Sequence, residues 1–169
     1  MSALVADTSA LVSLGIVGTA DTDPLALCLE TYEVLIPEIV IDELEDVASY
    51  DDAHGCGAQA VLDQADGFTV RSVSLDAAFP LDDGENAAVT LANDIDAAML
   101  LCDEFNQLGL IHASLANTRL VTTPTLLSVF VRNGQMDSAA ASAALDLISE
   151  ARSWETNQYV DRARSLLGE

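Results

Sequence analysis

The stretch "SALVADTSALVSL", residues 2–14, sets the reading of this chain. A short apolar run, Ala3-Leu4-Val5-Ala6, ends in a carboxylate, Asp7, followed by two hydroxyls, Thr8 and Ser9. That order reads as a strand, a turn and a helix, with Asp7 at the strand's carboxyl end. In open parallel sheets, that edge carries the functional groups. Asp7 is equally at home as the N-cap of the helix that follows. Its meaning therefore depends on what distant segments bring to the same edge.

Outward from this stretch, short β-rich runs alternate with longer helical ones. Strands are predicted at 4–6, 32–36, 68–75, 97–101 and 119–122. Helices are predicted at about 9–15, 24–31, 38–49, 56–65, 84–94, 104–116, 124–134, 138–151 and 154–167, from apolar periodicity. The alternation implies an α/β fold, a three-layer α/β/α sandwich around a mostly parallel sheet. Residues 1–136 form the sheet-bearing domain, and the turn at "RNGQM" introduces a helical extension, 137–169. That extension is expected to pack on the same domain or on a dimer partner. Gly15, Gly18 and Gly84 read as helix terminators and turn residues. His54 falls in a loop-like stretch, "DDAHGCG", and His112 on the apolar side of the 104–116 helix, as a core or interface histidine.

Charge narrows the setting. The chain has 28 acidic and 6 basic residues, a formal net charge of −22, and every basic residue is Arg. The acids are spread along the chain, as a solvated surface would have them. Such a surface repels itself in dilute buffer and is screened in concentrated salt, so a halophilic, salt-rich cytoplasm is expected. No apolar run approaches the roughly 20 residues of a membrane span, and no basic segment opens a secretion signal. Cys28, Cys56 and Cys102 lack any C-x-x-C pairing, which argues against a zinc site or disulfide framework and for buried thiols. The chain lacks a phosphate-cradling G-x-x-x-x-G-K-[ST] loop. Ser9 stands where a HAD-type phosphatase needs a second Asp, and a receiver domain needs a Lys.

About one residue in six is acidic, so position carries more information than number. Asp103 closes the run "AAMLLC", at the same sheet edge as Asp7. Glu43 lies in "PEIVIDELEDVAS". At 100° per residue it falls inside the apolar arc, between Ile39 and Val47. A charge on a buried helix face has to be paired, neutralised or bound to a metal. Glu85 opens the helix of "LDDGENAAVTLAND", where Asp82-x-x-Glu85 also resembles a capping box. Carboxylates gathered in one cleft repel unless one takes a proton or a cation joins them. Hard divalent cations take oxygen ligands, and the matching chemistry is phosphodiester hydrolysis by a metal-activated water. Thr8 and Ser9 are placed to orient a carboxylate, a water or a phosphate.

These residues resemble the PIN-domain nucleases, especially the VapC-like toxins of prokaryotic toxin–antitoxin pairs. The similar pieces are "ALVADTSALVSL", "IPEIVIDELEDV", "LDDGENAAVTLA", "MLLCDEF" and "RLVTTPTLLSVFVRNGQM", in family order over most of residues 1–136. The resemblance implies four acidic site positions, which fall here on Asp7, Glu43, Glu85 and Asp103. Glu104 stands where many members carry a further acid or Asn, and Glu85 stands where Asp is commoner. It further implies Mg²⁺ or Mn²⁺ and cleavage of single-stranded RNA. The expected partners are an RNA substrate, an antitoxin protein and a second copy in a homodimer. Arg119 and Arg132 are candidates for RNA contact, or for ion pairs with the surplus acids. The alternative is a catalytically weak PIN-fold module that binds RNA or protein.

Overall fold

Along β1 (Ala3–Ala6), Leu4 and Ala6 join one core cluster and Val5 the other. This is the period of two that a strand buried on both faces requires. The same alternation runs through β2 (Glu33–Pro37), where Val34 and Ile36 face one side and Leu35 the other. With β3 (Thr69–Arg71), β4 (Met99–Leu101) and β5 (Arg119–Val121) they form a five-stranded sheet, ordered β3-β2-β1-β4-β5 and parallel throughout. The coordinates are a computed structural model that describes residues 1–18 and 22–168.

The helices are α1 (Thr8–Ile16), α2 (Pro24–Thr31), α3 (Glu38–Ala48), α4 (Ala53–Leu62), α5 (Asp83–Asp94), α6 (Leu108–Ser114), α7 (Thr123–Arg132), α8 (Ser138–Arg152) and α9 (Gln158–Leu166). Side chains of α1–α4 and α7–α9 share the first cluster, and those of α5 and α6 the second. The result is the expected three-layer α/β/α sandwich. The chain lays β2 and β3 on one side of β1, then crosses back to lay β4 and β5 on the other. The strand order thus reverses between β1 and β4, and such a switch point opens a crevice at the carboxyl ends of the strands. Asp7 follows β1 there, and Cys102 and Asp103 follow β4. Ala141, Leu145, Ile148, Val160 and Ala163 of the last two helices sit in the same cluster as β1 and α1.

Several expectations are corrected. The 68–75 run yields strand only at Thr69–Arg71, because β3 is an edge strand whose Val70 is already 44% exposed. Of the 104–116 helix only Leu108–Ser114 forms. Residues 104–107 make a turn that brings Phe105 against Trp154 and Tyr159, at centroid distances of 4.8 and 5.1 Å. The last helix starts at Gln158 rather than 154. Ser153 leaves α8 in the left-handed region (φ 58°), and Asn157 caps the new helix by accepting from the Tyr159 amide. His54 lies inside α4, which begins earlier because Asp52 caps it. Cys56 is exposed rather than buried, and His112 is exposed, so it is not a core histidine. Gly15 is not a terminator. It sits within α1, where any Cβ would strike the backbone of Gly57 in α4, so the pair lets the two helices touch.

Candidate functional site

The Asp7 amide donates to the Leu101 carbonyl at 3.1 Å, which locks the end of β1 to the end of β4. Its carboxylate then turns into α1. Oδ1 accepts from the Ala10 amide (3.0 Å) and the Ser9 hydroxyl (2.7 Å), and Oδ2 accepts from the Cys102 thiol (3.0 Å). Capping and a place in the site are therefore one geometry. Asp7 is 4% exposed, and burial pushes its pKa up to about 7 against the opposing hydrogen bonds.

Glu43 arrives from α3, half-buried, with Oε1 accepting from the Thr8 hydroxyl at 2.9 Å. Burial raises its pKa, the Thr8 bond opposes that, and the charges of Asp82, Glu104 and Asp46 add to it. Gly84 makes the approach possible, since a Cβ there would collide with the Glu43 carboxylate. Far from ending a helix, Gly84 lies in the first turn of α5 and lets that turn close on α3. Asp82 caps α5 by accepting from the Glu85 amide at 2.8 Å. Glu85 is itself buried. Desolvation, then the charges of Asp82 and Glu104, push its pKa up to about 7.

Asp7, Thr8, Ser9, Glu43, Asp82, Gly84, Glu85 and Glu104 line a single small cleft of about 30 Å³. Of the four acids picked from the sequence, three meet there. Asp103 is the exception. It is 4% exposed, its Oδ1 accepts from the Thr123 amide at 2.7 Å, at the start of α7, and it is not among the residues that line the cleft. Its own amide donates to the Ser9 hydroxyl, and its charge adds to the upward pressure on Asp7. Its Oδ2 is buried with no hydrogen-bond partner, and burial raises the pKa of the group. Glu104, given only a supporting place by the sequence, takes the wall position. Its pKa is raised by burial, with Arg152 opposing.

The sequence reading missed Arg152. From the end of α8 its Nη1 donates to the Ser9 carbonyl at 3.0 Å, and its charge acts on both Asp103 and Glu104. No local pattern ties a helix-terminal Arg to a residue 143 positions earlier. Cys102 was also missed, although its place after an apolar strand and before Asp103 puts it at the right edge. Arg119 and Arg132 do not line this cleft.

The donor set is one of carboxylate and hydroxyl oxygens, with no basic side chain among the lining residues. Among the described residues, no group of three or more His, Cys, Asp or Glu side chains forms a ready-made ion cage. The set does fit a hard cation that keeps most of its waters, as Mg²⁺ does when one or two carboxylates hold it. Among the described residues, no helix is long and apolar enough to cross a membrane.

Fold and cleft together define a parallel α/β sandwich that presents clustered carboxylates at its switch point. A family model described as a PIN domain matches residues 3–169, and the chain belongs to that family. PIN domains have a nuclease-type fold, are generally nucleases and typically use divalent metals. No curated protein matches the chain.

Proposed function

We propose that this protein is a divalent-cation-dependent endoribonuclease that hydrolyses phosphodiester bonds of single-stranded RNA. We propose further that it is the toxin of a toxin–antitoxin pair, working in concentrated salt. The observation that carries the reading is the meeting of Asp7, Glu43, Glu85 and Glu104, from four separate segments, around one cleft at the switch point. A fold has no structural need to gather like charges there. Burial raises the pKa of each, and neighbouring carboxylates add to the rise, with Arg152 opposing it at Glu104.

Asp7 and Glu43 are the best-oriented ligands, each fixed by hydrogen bonds from neighbouring side chains or amides. Glu85 and Glu104 complete the wall, directly or through water. Mg²⁺ or Mn²⁺ bound there would lower the pKa of a coordinated water and offset charge on the phosphate. Asp103 positions: it ties Ser9 to the start of α7 through the Ser9 hydroxyl and the Thr123 amide.

The test is cleavage of a labelled single-stranded RNA at molar salt, with Mn²⁺ titrated, for the native chain and Asp7→Asn. The expected loss is roughly 100-fold or more. Equal cleavage by both forms would remove the reading. Binding without cleavage by the native chain would leave the module reading in its place.

A further inference from the structure

Six Arg face 28 acids in this chain, so each Arg has many possible partners. Arg164 pairs with Asp146 at 2.7 Å, and Arg152 is committed to the Ser9 carbonyl. Arg119, Arg132 and Arg162, by contrast, have no ion pair or hydrogen bond from their side chains among the described residues. Yet all three line one groove of about 250 Å³ beside the β5 edge of the sheet. The groove has a simple origin. Thr125, Ser128 and Arg132 share a face of α7 at helical spacing, Tyr159 and Arg162 share a face of α9, and Arg119 opens β5. Three guanidinium groups without an ion pair thus share one groove, in a molecule that has acids to spare, and an anion bound there would be attracted to all three.

A second pocket, of about 340 Å³, adjoins the groove and shares Thr125 and Tyr159 with it. Leu108, Leu120 and His112 line its other walls. Tyr159 is 43% exposed, and its ring is held in place by stacking on Phe105. Thr122, also in this pocket, precedes Thr123, whose amide holds Asp103, so the pocket lies toward the carboxylate edge. A guanidinium-lined groove beside a fixed aromatic ring is the arrangement that binds single-stranded nucleic acid, with phosphates on the cations and bases on the ring.

We propose that the Arg119–Arg132–Arg162 groove and the adjoining Tyr159 pocket form a binding site for the sugar–phosphate backbone and one base of single-stranded RNA, separate from the carboxylate cleft. It rests on the reading that RNA is the ligand but not on cleavage. The test is therefore run in EDTA, by fluorescence anisotropy, with a labelled oligouridine 12-mer and an abasic ribose-phosphate 12-mer. The triple variant Arg119→Gln, Arg132→Gln, Arg162→Gln weakens both ligands by roughly 100-fold. The triple Arg→Lys variant keeps much of the binding. Tyr159→Leu weakens the oligouridine by roughly fivefold or more and leaves the abasic strand unchanged. Near-ultraviolet circular dichroism of Trp154 checks that the aromatic cluster persists. The proposal is overturned if the native chain binds neither strand. It is equally overturned if the Gln triple variant binds as the native chain does, or alters only the mass of the assembly. Failure of cleavage with binding intact would count against the nuclease reading alone.

Discussion

Arg152 donates from Nη1 to the Ser9 carbonyl at 3.0 Å, joining the end of α8 to the first turn of α1. Its guanidinium also lies 5.6 Å from the centroid of the Trp154 ring, and its charge acts on Asp103 and Glu104. One side chain from the C-terminal helices thus supports the backbone that shapes the cleft and offsets its charge. Arg152→Met removes a charged donor and a counter-charge together. We expect a stability loss of about 1–3 kcal/mol in denaturant unfolding and weaker RNA cleavage. Arg152→Lys restores part of both.

Gly84→Ala separates the site from the scaffold. The new methyl would meet the end of the Glu43 side chain, a flexible group that can swing away. Unfolding free energy should therefore change by less than about 1 kcal/mol. Mn²⁺ affinity and cleavage should fall by roughly tenfold or more, the effect expected when a ligand's orientation is lost. A large stability loss with unchanged Mn²⁺ affinity would show that Glu43 packs there without serving a cation.

The pH dependence of stability follows from Asp7 and Glu85. Their ordinary values are 3.8 and 4.5, and each rises to about 7 in the fold. Folding therefore favours their protonated forms. That contribution is fully present below about pH 4 and is lost as pH rises through 7. In EDTA at fixed high salt, the difference in melting temperature between the native chain and Asp7→Asn should shift in favour of the variant between pH 4 and 8. Added Mn²⁺ reverses the trend for the native chain, because the cation takes the ionised carboxylates. Saturation to 100 times Kd stabilises by about 2.7 kcal/mol.

Much of this molecule was legible in local pattern. The apolar runs at 4–6 and 97–101 read as strands because both faces of the sheet are buried, and Glu43 stood out because it falls inside the apolar arc of its helix, between Ile39 and Val47. What stayed hidden was set by tertiary contact. Asp103 looks like a cleft-lining residue until the Thr123 amide, 20 positions on, takes its Oδ1. Glu104 looks like a helix residue until Phe105 turns the chain toward Trp154. Gly15 looks like a helix stop until α4 packs against it. The grouping of Arg119, Arg132 and Arg162 depends on how α9 lies on α7, which no spacing in the sequence records.

The central claim is that the carboxylates of the switch-point cleft hold one divalent cation between them. The most direct measurement is the loss of the free Mn²⁺ electron paramagnetic resonance signal on adding protein at molar salt and pH 8. The account predicts uptake by the native chain, and uptake lowered by roughly tenfold or more in affinity for both Asp7→Asn and Glu43→Gln. Undiminished uptake by both variants, or none by the native chain, would contradict it.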